Sequence, residues 1–359
     1  MIERYLNPEI NSIWDDQNKF DTWKLVQEKY VETLEELNVA EKGIAKKINQ
    51  SVVQKDEVYK QEEITNHDLA SFVDILQKKV GEGSNWIHYG LTSSDIVDTA
   101  NSVLIMQSLD YVMDLVNDFL STLQEKAVQE KDTLIIGRTH GVYAEETFLG
   151  NIFGNWHLEV ARGLNRLENS KNNISFGKLS GPVGNHSVVT SEMEKLTLEK
   201  LNLKPEQFAN QIVSRDRYAE VVSSLGILAS TYERIATNIR SYQRSEISEM
   251  FESFKDGQKG SSAMPHKKNP IGSERITGLA RIMRSYVSTS LENMVLWNER
   301  DISNSSVERI MLPDAFHLIS FMSIELNSIL KHLVINYEQI NINLEDAKNK
   351  SVSQKFLSY

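Results

Sequence analysis

The sequence predicts an all-α protein, an elongated bundle of long helices. Three observations carry that prediction. Only six prolines occur in 359 residues, and long stretches lack both proline and glycine, which favours uninterrupted helices. Between residues 217 and 251, Val221, Leu225, Leu228, Tyr232, Ile235, Ile239 and Tyr242 recur at intervals of four and three, a heptad seam of the bundle type. A second run, Leu109, Met113, Val116, Leu120, Leu123 and Ala127, has the same spacing.

From N- to C-terminus the elements follow from these patterns. Residues 1–95 read as an N-terminal helical domain that ends in the glycine- and serine-rich stretch 81–95, GEGSNWIHYGLTSSD. Residues 96–340 read as a central domain of long helices, and 341–359 as the remnant or start of a further one. Within the central domain, helices are expected around 109–127, 150–172, 217–251, 273–298 and 313–335. The segments 137–147, 177–187 and 257–272 separate them, with the turn residues such connections need. At 1.5 Å per residue the best helices reach roughly 45 Å. Seams that long must be buried against equally long neighbours, so the bundle is expected to be shared between subunits.

Composition narrows the function. The formal net charge is −11, which disfavours a general nucleic-acid binder; any anionic ligand must meet cations gathered locally. No apolar run is long enough to span a bilayer, and the opening MIERYLNPEI lacks the apolar stretch of a secretory signal. The chain has no cysteine, so disulfides and thiolate metal sites are excluded. A cytoplasmic protein with no membrane or nucleic-acid partner is expected.

The chemistry concentrates between the helices. Of eight histidines, His157, His317 and His332 fall inside helical patterns and read as packing residues. His67, His88 and His140 stand at element ends among hydroxyls and carboxylates, where an imidazole can serve as acid or base near neutral pH. No His-Glu-x-x-His spacing occurs, so neither a metal site nor another cofactor is expected. A nucleophile elbow and a phosphate-cradling P-loop are also missing. The basic stretch GSSAMPHKKNP at 260–270 is either a plain surface loop or a loop that handles an anion.

Taken whole, Ser261-Ser262-Ala263-Met264-Pro265-His266-Lys267-Lys268-Asn269-Pro270 followed by Glu274 resembles the signature loop of the fumarase/aspartase superfamily. IERY at 2–5, NHD at 66–68, HYGLTSSD at 88–95, GRTHG at 137–141 and WNERDISNSSVERIMLPD at 297–314 are similar to the adenylosuccinate lyase family within it, in order and over nearly the whole chain. The resemblance implies a helical homotetramer whose core is the central domain and whose active sites are each built from three subunits. It implies elimination of fumarate from adenylosuccinate to give AMP, and from SAICAR (the succinyl-carboxamide ribotide) to give AICAR. It further implies that Ser261 is the general base, His140 the general acid and Glu274 its orienting carboxylate. Lys267 and Asn269 would stabilise the dianionic aci-carboxylate, a task for fixed positive groups and N–H donors. Ser262, Asn66, His67, Asp68, His88, Thr92, Ser93 and Gln211 would line the substrate. Arg4, Tyr5, Arg300, Ser305, Ser306 and Arg309 would hold the nucleotide's phosphate or ribose, where arginine offers a bidentate fork.

The chain departs from the family pattern at Tyr143, Glu146, Arg275, Asn298 and Asn304. Members of the family continue for a further helical domain of some tens of residues. Two rival readings are another fumarate-releasing lyase, chiefly argininosuccinate lyase, and a catalytically silent helical scaffold.

Overall fold

The computed structural model describes residues 1–254, 264 and 268–348. Among these residues the protein is mostly helical, and the chain divides into two units.

The first unit comprises residues 1–111, 169–222 and 288–317. It opens with a 3-10 turn at Glu3–Tyr5, then α1 (Pro8–Trp14), α2 (Asp16–Glu36), α3 (Ile44–Gln50), α4 (Lys55–Thr65) and α5 (Asp68–Val80). Local chemistry sets these boundaries. The Asn7 and Asp15 side chains accept from Ile10 N and Gln17 N at the starts of α1 and α2, and His67 accepts from Ala70 N at the start of α5. Each satisfies an N–H that the helix cannot. Phe20, Trp23 and Phe72 form a mutually packed aromatic cluster in the core, with ring centroids 5.2 to 6.0 Å apart. Each such buried ring contributes on the order of 1.5–3 kcal/mol.

The second unit comprises residues 112–168, 223–287 and 318–359. The long helices α6 (Ser93–Gln129) and α7 (Leu149–Ile174) have residues in both units. Between them the strands β1 (Leu134–Thr139) and β2 (Val142–Phe148) form an antiparallel hairpin. In the first unit, two short parallel strands, β3 (Phe176–Gly177) and β4 (Lys204–Pro205), flank α8 (Ser191–Glu199). Then come α9 (Arg215–Tyr242), β5 (Met250–Phe251), α10 (Ile271–Glu292), α11 (Ser303–Lys331), β6 (Val334–Ile335) and α12 (Tyr337–Ala347). Strands β5 and β6 pair antiparallel. In the core of the second unit Phe119 meets Tyr232 edge to face at 5.5 Å, and the Tyr232 hydroxyl shares a hydrogen bond with Ser323 Oγ at 3.0 Å.

The long-helix expectation holds, with adjustments. On α9, Val221 through Ile239 of the seam are buried and Tyr242 is half-buried. The helix ends at Tyr242 rather than near 251, because the chain turns off to form β5. On α6 the buried line is Leu109, Val112, Val116, Phe119 and Leu123, one position off the predicted run at alternate steps. Helix α11 begins ten residues before the expected 313 and runs through Pro313, which leaves the Arg309 carbonyl without its helical donor. The stretch 137–147 is not a loop: it supplies most of the hairpin. Of 341–359, residues 341–347 complete α12 and 349–359 lie outside the described residues.

Candidate active site

In the first unit, the N-terminus of α11 gathers most of the residues expected to hold a nucleotide. Asp301 orders the approach: its carboxylate accepts from Ser303 N at 2.8 Å and Trp297 N at 2.9 Å. The hydrogen bonds from Ser303 and Trp297 hold its pKa below the usual carboxylate value. Next to it, Arg300 Nη1 donates to Ser94 Oγ at 2.7 Å and Gln211 Oε1 at 3.2 Å, while its buried Nε has no hydrogen-bond partner among the described residues. Arg309, two turns along α11, donates to Asp68 Oδ2 at 2.6 Å. A cavity of about 220 Å³ is lined by Asp68, Arg300, Ser305 and Arg309, with Lys19 and Arg215 beside them. Ser306 is exposed on the first turn of α11.

The start of the chain is pinned to the same helix. The Met1 amine pairs with Asp314 at 2.9 Å, and Asn7 N donates to His317 Nδ1 at 3.0 Å. The intervening turn carries Arg4 and Tyr5. His67 Nε2 lies 3.4 Å from Ser93 Oγ, and Asn66 caps the end of α4 at φ 53°. Thr92 N donates to Asp95 Oδ2 at 2.7 Å, and the buried Lys178 pairs with that same carboxylate. His88 exchanges two hydrogen bonds with Gln27: its N–H donates to Oε1 at 3.0 Å, and its Nδ1 meets Nε2 at 3.1 Å. Burial, and then the proximity of His67, push the His88 pKa down to about 4. Its ring is therefore neutral at neutral pH.

The second unit holds the groups expected to move protons. His140 and Gly141 are the two turn residues of the hairpin, at φ 55° and 78°. Positive φ at both central positions is the turn that matches the strands' twist, and it leaves the imidazole exposed at the tip. Glu274 is exposed on the first turn of α10 and, with Asn269, lines a cavity of about 990 Å³ that also includes Arg240, Arg244 and Lys268. Among the described residues neither His140 nor Glu274 has a side-chain hydrogen-bond partner. Ser261, Ser262 and Lys267 lie outside the described residues.

Sequence reasoning missed Ser94 and the buried support beneath the nucleotide group. Arg215 forks onto Asp98 (2.5 and 3.0 Å) and Glu308 (2.7 and 3.0 Å), and Asn304 donates to Glu308 at 3.0 Å. The Asp-Arg dipeptide after Arg215 gave no periodic signal; only a buried cation paired with two distant acids would have marked it. Two departures from the family pattern find local partners too. Tyr143 lies 5.3 Å from the Arg138 guanidinium, and Arg275 pairs with Glu325 at 2.9 Å. Asn298 takes a left-handed φ of 45°; nothing in the structure explains Glu146.

Comparison with known proteins gives three findings. Residues 8–284 match the family described as "Lyase". The chain is 43% identical over 358 residues to the adenylosuccinate lyase of Thermotoga maritima and 41% identical over 358 residues to that of Bacillus subtilis. Each alignment covers 99% of this chain and 83% of the relative. Among solved structures, the fumarate lyase from Mesorhizobium sp. BNC1 superposes with a TM-score of 0.89 at 20% identity, over 99% of this chain and 82% of the other. The β-carboxy-cis,cis-muconate cycloisomerase of Acinetobacter calcoaceticus does so with 0.86 at 20% identity, over 97% and 80%. At that identity the two structures speak to the fold alone.

Proposed function

Given that the chain belongs to the lyase family and, within it, to the adenylosuccinate lyases, we propose that it removes fumarate from adenylosuccinate to leave AMP, and from SAICAR to leave AICAR. The observation that carries this reading is the 43% identity extending over 99% of the chain. The cluster of Arg300, Arg309 and Ser305 around one cavity supports the nucleotide half of it, because guanidinium forks and hydroxyls suit a phosphate.

The proposed mechanism is a general acid–base elimination. Ser261, deprotonated in a closed and water-excluded site, takes the proton from the carbon beside a succinyl carboxylate. Charge builds on that carboxylate, and Lys267 and Asn269 stabilise it; for so weak a carbon acid, this stabilisation removes most of the barrier. The carbon's electron pair becomes the new C=C bond as the C–N bond breaks on the opposite side. The leaving nitrogen keeps the bonding pair and takes a proton from His140, whose tautomer Glu274 would fix. Arg4, Tyr5, Ser306 and Arg309 hold the phosphate end. Asn66, His67, Asp68, His88, Thr92, Ser93, Gln211 and Ser262 shape the rest of the pocket. In this reading the enzyme is a cytoplasmic homotetramer, with residues 96–340 forming its core and each site assembled from several subunits.

The test is fumarate release, followed spectrophotometrically, with adenylosuccinate, SAICAR and argininosuccinate offered separately to the purified protein. Turnover of the first two is expected. Turnover of argininosuccinate alone, or none of any, would overturn the assignment.

A further inference from the structure

Two buried carboxylates flank β5 in the second unit. Glu249 is fully buried, and Arg138 grips it with both terminal nitrogens, Nη2 to Oε1 at 2.7 Å and Nη1 to Oε2 at 2.8 Å. Asn343 of α12 adds a third bond to Oε1 at 2.8 Å. Arg138 stands on β1, two residues before His140, and is held from the other side by its cross-strand neighbour Tyr143. Glu252, 8% exposed, accepts from Ser273 N at 2.7 Å and Gly272 N at 3.2 Å. Those amides are the first-turn donors of α10, directly before Glu274. Gly272 permits the approach: a Cβ there would stand 3.2 Å from Glu252 Oε2 and 2.8 Å from Ile329 Cδ1.

The spacing explains how one strand reaches two elements. Residues three apart in extended chain point to opposite faces. One carboxylate therefore meets the hairpin and the other the helix, about 10 Å apart along the chain. Pairing of β5 with β6 fixes the strand itself. The base of the hairpin is held by buried Ile135 and Ile136 and by α12; the forked, charge-assisted contact at Glu249 ties down the end of β1 nearest the His140 turn.

We propose that Glu249 and Glu252 are positioning residues for proton transfer: Glu249, through Arg138, sets the hairpin that presents His140, and Glu252 sets the start of the helix that presents Glu274. This rests on the reading in which His140 is the general acid and Glu274 its orienting carboxylate. Displacement of a reacting group by about 1 Å can cost on the order of 10²-fold in rate, so the two carboxylates act on turnover without touching substrate.

The experiment is steady-state kinetics of the full chain on adenylosuccinate for Glu249→Gln, Glu252→Gln, His140→Gln, Glu274→Gln and the two doubles Glu249→Gln/His140→Gln and Glu252→Gln/Glu274→Gln. Each glutamine keeps the shape and loses the charge. We expect kcat to fall roughly tenfold or more in each strand variant with KM within about twofold. We also expect each double to be no slower than its His140 or Glu274 single, because the strand residue acts only through that group. If Glu249→Gln lowers kcat by the same factor with or without His140, its role is general stability and the proposal fails. If His140→Gln is inactive while Glu249→Gln matches wild type, the positioning role alone is overturned. Full activity in His140→Gln removes the acid assignment and the proposal with it. Should Glu249→Gln fail to fold, Arg138→Lys takes its place under the same criteria, since it keeps the charge but loses the fork.

Discussion

His88 holds a left-handed backbone at φ 63°, a conformation shared with the candidate residues Asn66 and His140. Such angles cost roughly 1–3 kcal/mol each for residues with a side chain, and asparagine and histidine bear them better than most. The cost at His88 is offset by its two bonds to Gln27. With its pKa lowered to about 4 by burial and by His67, the ring serves as a neutral hydrogen-bonding surface rather than as a cation for an anionic substrate. The sign for stability follows. The unfolded chain takes up the proton near pH 6.5 and the folded one only near pH 4, so the unfolded state binds more protons between those values. Stability from this residue is full above pH 6.5 and is lost as pH falls toward 4. His88→Asn keeps the backbone angle and removes the titration. Between about pH 7.5 and pH 4.5, urea unfolding is expected to show the wild type losing up to about 2–3 kcal/mol more than the variant. Parallel losses in the two proteins would show that His88 protonates equally well when folded.

At the scale of elements, the start of α11 depends on the Arg215 pairs. Asp98 lies on α6, Arg215 opens α9 and Glu308 sits one residue before Arg309. Arg215→Met would leave two buried carboxylates facing each other without their cation. Breaking a buried pair from one side costs about 3–5 kcal/mol, so the urea midpoint should drop accordingly, and KM for adenylosuccinate should rise as Arg309 and Ser305 lose their footing. A loss under about 1 kcal/mol would mean that the triad is solvated enough to be dispensable. None of these three partners was legible in the sequence, because they are 93 and 117 residues apart and pairing across such distances leaves no local pattern. The helices were legible for the opposite reason. The seam from Val221 to Ile239 repeats within one element, and burial follows it residue by residue. On α6 the buried line keeps the heptad spacing but takes Val112 and Phe119, whereas Met113 and Leu120 beside them are half-buried; the sequence offers apolar residues at both neighbouring positions and so leaves the choice open. The hairpin escaped notice because GRTHGVYAEET has too little apolar alternation; part of what holds it is Arg138 reaching Glu249, 111 residues away. His67 at the start of α5 and His140 after β1 stand at element ends as expected, but no motif could reveal that Arg300 engages Ser94 and Gln211.

At the scale of the whole molecule, the proposed homotetramer predicts that each site draws on more than one chain. Asp68, Arg300, Ser305 and Arg309 converge on a cavity of the first unit, whereas His140 and Glu274 belong to the second, and neither of the latter finds a side-chain partner among the described residues. If each site takes its acid and its base from different subunits of a homotetramer, two dead variants should rescue one another. His140→Gln lacks the acid and Ser261→Ala lacks the base; each should turn over adenylosuccinate roughly 10²-fold or more slowly than wild type. Unfolded together at equal amounts and refolded, they assort at random. A site then has one chance in two of receiving an intact His140 and, independently, one in two of an intact Ser261. About a quarter of wild-type activity should return, well above either parent. Tagging the two variants differently and isolating tetramers that carry both tags separates assembly from catalysis. Mixed tetramers with no more activity than the parents would mean that His140 and Ser261 serve the same site from the same chain. Return of a quarter would mean that this lyase cannot work as a monomer, whatever the strength of its individual contacts.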